Sequence, residues 1–358
     1  MKSTNSLWYL TLQKFKKNTT GLISLVYIIL CGFVALFCYL LAPDNSSSAN
    51  QMNIEIHSKS PGFSSEFIQV PNQNTSNESS WFSTLLYGKK INYTEIPILS
   101  YEIQKEHIEV KKYDGTFKSF DLKQFGSSPE NYIKKKTFFL GTDKFGRDLW
   151  SRILVGTRIS FSIGFIAVFI SLLIGIPIGA LAGYFGGKID TFIMWIINIT
   201  WSIPTLLLVI AITLTLGKGF WQVFIAVGLT MWVEVARIVR GQVITVKQQQ
   251  YIEAAKALGY SNLRIIFKHI LPNILAPVIV ISAANFAAAI LIESGLSFLG
   301  IGAQPPTPSW GAIIKNHYNY IILGKPFLAL APGIAIMSLV MAFMLLGNSL
   351  RDALDVKS

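Results

Sequence analysis

The chain is 358 residues long, 51% hydrophobic and only 14% charged, with a mean hydropathy of +0.47. Soluble domains carry roughly 25% charged residues, so this composition excludes an ordinary water-soluble globule and points to lipid as the surrounding medium. The formal net charge of +12 does not read as nucleic-acid binding, because Lys and Arg sit in short stretches between apolar runs and not as a basic patch on a soluble fold.

From the N-terminus, Lys14, Lys16 and Lys17 precede an apolar run over 21–42. The run is longer than the roughly 7–15 apolar residues of a signal-peptide core, and no A-x-A-like site follows it closely. It predicts a retained transmembrane helix after a cytoplasmic tail of residues 1–20. Cys31 and Cys38 fall in this run on one helix face, which does not bring them to disulfide distance. They read as small buried apolar residues. No Cys/His cluster has metal-ligand spacing, and the four histidines are scattered.

Residues 43–136 form an insert. It opens Ser/Asn-rich, at Asn45 to Asn50 and Asn72 to Ser80, which is linker composition. The Asn-x-Ser/Thr sites at Asn45 and Asn74 are what such composition generates by chance. Farther on, Ile108–Tyr113 and Phe117–Phe120 flank Asp114-Gly115, which predicts a β-hairpin. Whether the insert as a whole is structured or floppy stays open.

Five more apolar segments follow, at approximately 159–183, 191–213, 219–239, 273–292 and 329–347. Each approaches the ~20 residues that cross a bilayer as a helix, and isolated strands cannot satisfy their backbone in lipid. The expected fold is therefore an all-α membrane protein with six transmembrane helices and an extracytoplasmic, partly β insert between helices 1 and 2. Residues 137–348 form its core and 349–358 a cytoplasmic tail. Orientation follows from the basic loops. Lys2, Lys14, Lys16, Lys17, Lys188, Arg237, Arg240, Lys247, Lys256, Arg264, Lys268, Arg351 and Lys357 fall on one side. The short loops opposite hold Lys218, Lys315 and Lys325. Both termini are expected in the cytoplasm.

Gly175, Gly179 and Gly183, with Gly187 just beyond, repeat every four residues and mark a helix-packing face; a hinge at Gly175 and Pro177 is the alternative. Pro204 and Pro277 are expected to kink spans three and five. Glu234, near the inner end of span four, has the spacing to pair with Arg237. No acidic residue is read as lying near a midplane, which argues against a proton-driven carrier. Glu293, at the outer end of span five, reads either as a functional ionisable group or as a solvated helix end. Asp190 is expected to shape a tight turn. No G-x-x-x-x-G-K-[ST] occurs, and Gly217-Lys218-Gly219 lacks the rest of it, so the chain is not expected to bind ATP phosphates. It is read as a non-enzyme without cofactor.

The loop at about 241–272 is the most informative stretch. It reads Glu253-Ala254-Ala255-Lys256-Ala257-Leu258-Gly259, then nine residues, then His269-Ile270-Leu271-Pro272. Alanine and leucine favour a short helix. Gly259 can take the left-handed conformation that ends it, Ser261 could cap the next helix, and Pro272 suits a first helical turn. This loop resembles the EAA loop of bacterial ABC importer permeases, with His269 where the consensus has Ile. Gly141-Thr142-Asp143-Lys144-Phe145-Gly146-Arg147-Asp148 resembles the C-type subunit of the dipeptide and oligopeptide branch. So do Leu296–Gly302 with Gln304–Gly311, and Gly347–Asp355. The resemblance covers about 1–42 and 137–358 and leaves the insert unexplained.

The resemblance implies a permease that pairs with a homologous second permease, two ABC ATPase subunits and an extracytoplasmic solute-binding protein, in the bacterial plasma (inner) membrane. It implies that Glu253, Ala254, Ala255, Gly259, His269, Leu271 and Pro272 form the ATPase-coupling element, with ATP bound by partner subunits. The implied substrate is a dipeptide or oligopeptide; nickel or another small solute is the alternative. A non-transporting sensor that used the insert would need a cytoplasmic signalling domain, for which the short tail after span six leaves no room. The residues lining a substrate pathway are not identifiable from the sequence.

Overall fold

The computed structural model describes residues 7–72, 80–104, 106–125, 129–217 and 219–354. Lys2, Asn74, Lys218, Asp355 and Lys357 lie outside the described residues. In chain order the elements are α1 (Leu7–Lys17), α2 (Thr19–Leu41), β1 (Phe63–Pro71), α3 (Trp81–Tyr87), β2 (Tyr93–Ile103), β3 (His107–Lys112), β4 (Phe117–Asp121) and β5 (Ile133–Phe138). There follow α4 (Leu149–Phe185), α5 (Gly187–Ser202), α6 (Thr205–Leu216), α7 (Phe220–Lys247), α8 (Gln250–Ala257), α9 (Asn262–Ile265), α10 (Leu271–Leu299), α11 (Trp310–His317) and α12 (Phe327–Leu354). Among the described residues, five helices are long and apolar enough to cross a membrane: α2, α4, α7, the run from α9 through α10, and α12. The chain divides into two compact units, one of residues 1–32, 160–304 and 336–358, the other of 33–159 and 305–335.

In the first unit, α7 is the central element. Val223, Phe224, Ala226, Val227 and Met231 pack with Ile163, Ala167, Ala289 and Leu296. Farther along, Val235, Val239 and Val243 pack with Ala180, Ile266, Ile270 and Ile274. The glycine stripe of α4 lies against the backbone of α7. A Cβ on Gly175 would sit 2.8 Å from the Trp232 carbonyl oxygen, and one on Gly183 would sit 2.7 Å from that of Arg240. One on Gly179 would meet the Ala236 carbonyl. Gly187 does not share in this face: it has φ +53° and nothing within 4 Å of its missing Cβ. α4 runs through Pro177 without interruption.

Three sequence expectations change here. The segment 191–213 bends far more sharply at Pro204 than a kink: it is broken into two helices, α5 and α6, meeting at 89°. Pro204 cannot donate a backbone hydrogen bond and disfavours helix at the residue before it; Ile203 is accordingly extended (φ −89°, ψ 127°). Pro277, by contrast, sits inside a continuous α10. Glu293 is not a solvated helix end: it is 1% exposed and accepts a hydrogen bond from Ser297 Oγ at 2.6 Å.

The second unit holds an ordered antiparallel sheet, in the order β4-β3-β2-β1-β5. Successive side chains of a strand point to opposite faces, and both faces of β1 are covered. Ile68 packs with Ile98, Ile108, Val110 and Phe120, while Phe67 packs with Ile56 and Phe138. The Asp114-Gly115 turn is present: Gly115 has φ +82°, and Asp114 Oδ1 accepts from the Thr116 amide at 2.9 Å.

The 141–148 stretch is a tightly braced loop. Asp143, fully buried, accepts from the amides of Phe145 (2.8 Å) and Arg147 (3.0 Å) and is ion-paired to the Arg147 guanidinium at 2.6 Å. Gly146 (φ +72°) lets this loop close against Asn53, whose carbonyl a Cβ would strike. Burial pushes the neighbouring Asp148 carboxyl up from its ordinary value, against the hydrogen bonds it accepts from Ser151. The Trp310 indole N–H donates to the Ile153 carbonyl at 3.0 Å, and a Cβ on Gly156 would sit 2.8 Å from that ring.

Candidate coupling surface

The EAA stretch forms α8, an eight-residue helix. Its alternation is helical, not strand-like. Ile252 (0% exposed) and Ala255 (4%) face the bundle, where they join Val239, Val243, Ile265, Ile266 and Ile270. Glu253, Ala254, Lys256 and Ala257 face outward.

The end of α8 is built by hydrogen bonds. The Gly259 amide donates to the Lys256 carbonyl (2.9 Å) and the Tyr260 amide to the Ala255 carbonyl (3.1 Å). This is the paired closure that requires a left-handed residue after the cap, and Gly259 supplies it at φ +77°. Ser261 stands at the start of α9 in an extended conformation, but its side chain makes no cap hydrogen bond, so the expected cap is positional only. A π-helical turn, Ile266–Ile270, then leads into α10. Pro272 sits at the start of α10, where the wider turn accommodates its missing donor.

His269 is half-buried and stacks on Tyr260, with ring centroids 5.8 Å apart. The Arg264 guanidinium lies 4.1 Å over the other ring of that pair, Tyr260. Leu271 packs on the α7 core. The expected coupling residues thus divide by role in the fold. Glu253 and Ala254 lie on the outer surface, Ala255 and Leu271 seat the element, Gly259 terminates α8, and His269 stacks on Tyr260.

The sequence reading missed the apolar part of this surface. Leu258 is 73% exposed, Phe267 64% and Leu263 62%, and the stretch from α8 to the π-helical turn that carries them also holds Lys256, Arg264 and Lys268. Leu263 and Phe267 are four apart, the spacing that places side chains on one helix face, which was the signal available. It also missed the anchor of this region. Asp190, in the first turn of α5, accepts two hydrogen bonds from Arg240, at 2.5 and 2.6 Å. The expected Glu234–Arg237 pair does not form among the described residues. Arg237 instead donates to Asn198 Oδ1 at 2.7 Å and lies 3.7 Å over the Trp201 ring, a cation–π contact.

A bundle of long apolar helices, glycine-packed and carrying a short amphipathic helix on one end of its central helix, defines a multi-span membrane permease. Residues 175–357 match the model of the binding-protein-dependent transport system inner membrane component, and the chain belongs to that family. Residues 6–61 match the N-terminal transmembrane domain of oligopeptide transport permease C, in keeping with the C-type resemblance read from the sequence. Among curated relatives, the chain is 40% identical over 238 residues to the glutathione transport system permease protein GsiD of Pectobacterium atrosepticum, covering 66% of this chain and 77% of that protein. It is 44% identical over 233 residues to the dipeptide transport system permease protein DppC of Alkalihalophilus pseudofirmus, covering 64% and 76%. Among solved structures, a chain of the inward-facing MetNI methionine ABC transporter aligns at 19% identity with a TM-score of 0.48, covering 56% of this chain and 95% of that one.

Proposed function

We propose that the chain is one of two permease subunits of an ABC importer for dipeptides or oligopeptides. It spans the membrane six times, the bent α5–α6 pair counting as one span, and has both termini in the cytoplasm. The strand-bearing insert lies outside, on the side of a solute-binding protein. α8 and the apolar residues beside it dock on an ATPase subunit, so that closure of the ATPase pair biases the bundle between two states. ATP is bound and hydrolysed by those partners, and this chain carries no cofactor.

The observation that carries the reading is the seating of α8. Ile252 and Ala255 are buried in the bundle while Leu258, Leu263 and Phe267 are left bare. Exposed apolar clusters rimmed by charge mark protein contact sites. The family match and the peptide-permease relatives support the substrate class.

The test is a pull-down of the detergent-solubilised chain with its co-expressed ATPases, comparing wild type with Glu253→Lys, Leu258→Asp and Gly259→Asp. The expected result is ATPase retained by wild type and lost, by tenfold or more, from the variants, all of which insert normally. A wild type that retains no ATPase, or a Leu258→Asp chain that retains it fully, would overturn the docking assignment.

A further inference from the structure

Where α5 and α6 meet at 89°, the first unit encloses a cavity of about 220 Å³ lined by Thr200, Trp201, Thr205, Thr230, Met231 and Glu234, among others. Glu234 is the ionisable member of that lining. It lies midway along α7, which runs from Phe220 to Lys247, and not near its inner end as the apolar run alone suggests. Its side chain is exposed and makes no hydrogen bond or ion pair with any described residue. Its natural partner three residues on, Arg237, is engaged by Asn198 and Trp201.

An unpartnered carboxylate at mid-helix in an apolar bundle costs several kcal/mol against lipid. Such groups face a water-filled path or an arriving cation. The threonine hydroxyls at the same cavity suit a polar ligand, although two of them are already donating to their own helix: Thr200 Oγ1 to Ile196 O and Thr230 Oγ1 to Val227 O. Each oxygen therefore remains free to accept. A cavity lined by one carboxylate, hydroxyl acceptors and an aromatic ring has the chemistry of an ammonium site. Its volume falls below the roughly 300–1,000 Å³ of pockets that enclose a whole drug-sized ligand, so it fits one end of a peptide.

We propose that this cavity is a substrate subsite in the translocation pathway, in which the Glu234 carboxylate receives the N-terminal ammonium of the passing peptide. Glu234 thereby selects peptides with a free amino terminus. The inference rests on the peptide-importer reading and deepens it. Transporters commonly build such sites where a membrane helix is interrupted, and the Ile203–Pro204 break supplies that interruption here.

The test uses the complete transporter, with both permeases, both ATPases and the binding protein, in proteoliposomes. ATP-driven uptake of dialanine and of N-acetyl-dialanine is measured for wild type, Glu234→Gln and Glu234→Asp. The same binding protein serves all three, so its own preference cancels in the comparison. The expected result is a dialanine uptake at least tenfold lower for Glu234→Gln, with KM raised, partial recovery in Glu234→Asp, and N-acetyl-dialanine uptake unchanged by either substitution. Equal dialanine uptake by wild type and Glu234→Gln, or an equal loss for both peptides, overturns the role of Glu234 while leaving the importer reading intact. A wild-type transporter that takes up no peptide overturns the importer reading and this inference with it.

Discussion

Substituting Gly175 by alanine tests whether the α4 glycine stripe is a packing face. The added methyl carbon would lie 2.7 Å from Val235 Cβ and 2.8 Å from the Trp232 carbonyl oxygen, whereas unstrained carbon contacts sit at about 3.5–4.0 Å. The two helices would have to separate by close to 1 Å, because one obstacle is backbone and the other is the β-branched side chain of Val235, three residues along α7. Overpacking of this kind costs roughly 1–3 kcal/mol, and the helix propensity gained by replacing glycine returns about 0.5–1 kcal/mol. The net expectation is a loss of between about 0 and 2.5 kcal/mol. Gly241, on α7 with nothing within 4 Å, is the internal control: alanine there carries the propensity gain without the clash. The assay is the thermal unfolding midpoint of each purified chain in one detergent, followed by tryptophan fluorescence. The midpoint should fall for Gly175→Ala and rise slightly for Gly241→Ala. A Gly175→Ala midpoint that rises as much as that of Gly241→Ala would refute the close-packing argument and revive the hinge reading of Gly175 and Pro177.

The Asp190–Arg240 pair makes two short hydrogen bonds, but its side chains are 20% and 28% exposed, so solvent screening limits its worth to about 1 kcal/mol. A double-mutant cycle with Asp190→Asn and Arg240→Lys, read by unfolding midpoints, should give a positive coupling energy of that size; additive single effects would show the pair to be idle. His317, 1% exposed, presents Nδ1 to the Ile313 carbonyl at 2.7 Å and accepts the Lys144 amide on Nε2 at 3.3 Å. That arrangement fits the neutral ring. Burial holds its pKa below the ordinary 6.5, opposed by the Ile313 hydrogen bond and Asp143 and assisted by Lys144 and Arg147. The folded state therefore binds fewer protons than the unfolded one, and the stabilisation from His317 is complete above pH 6.5 and lost as pH falls below it. Between pH 7 and pH 5 the unfolding midpoint should drop more steeply in wild type than in His317→Gln; parallel curves would rule this out.

Legibility followed the range of the interactions involved. Where a feature is set by near neighbours, the sequence carries it. The apolar run at 21–42 becomes α2 at Thr19–Leu41, Asp114-Gly115 turns between β3 and β4, and Gly259 adopts φ +77°. Gly175, Gly179 and Gly183 repeat at a spacing that depends only on helix geometry. What stayed hidden depends on distant residues. Asp190 and Arg240 are fifty positions apart, and nothing local says that they meet. β1 and β5 pair across the whole insert, and β5 carries three consecutive lysines, Lys134 to Lys136, on both of its faces, which masks its strand character. Ile203–Pro204 read as a kink because proline constrains only its own neighbourhood; the 89° turn reflects how α6 packs on α7 through Val209, Ile210 and Phe224. Glu234 was misplaced because the apolar run ends near residue 239, whereas α7 continues as a polar-faced helix to Lys247.

α7 ties these separate observations together mechanically. Its Val239 and Val243 seat Ile252 and Ala255 of α8, and its backbone carbonyls at Trp232, Ala236 and Arg240 lie directly under the α4 glycines. Arg240 clamps it to the first turn of α5, and Glu234 stands at its middle beside the α5–α6 break. Apart from the cavity at Glu234, each of these contacts is either backbone against glycine, a two-point ion pair or a filled apolar core, and packing of that density has little compressibility. A displacement imposed on α8 is therefore expected to pass into α7 and the parts of α4 and α5 packed on it, carrying the Glu234 carboxylate along. Loosening any one seat, as Gly175→Ala or Arg240→Lys would, should weaken that transmission before it unfolds the bundle. In the assembled transporter this would appear as peptide-stimulated ATP hydrolysis falling toward the unstimulated rate while the ATPase remains bound.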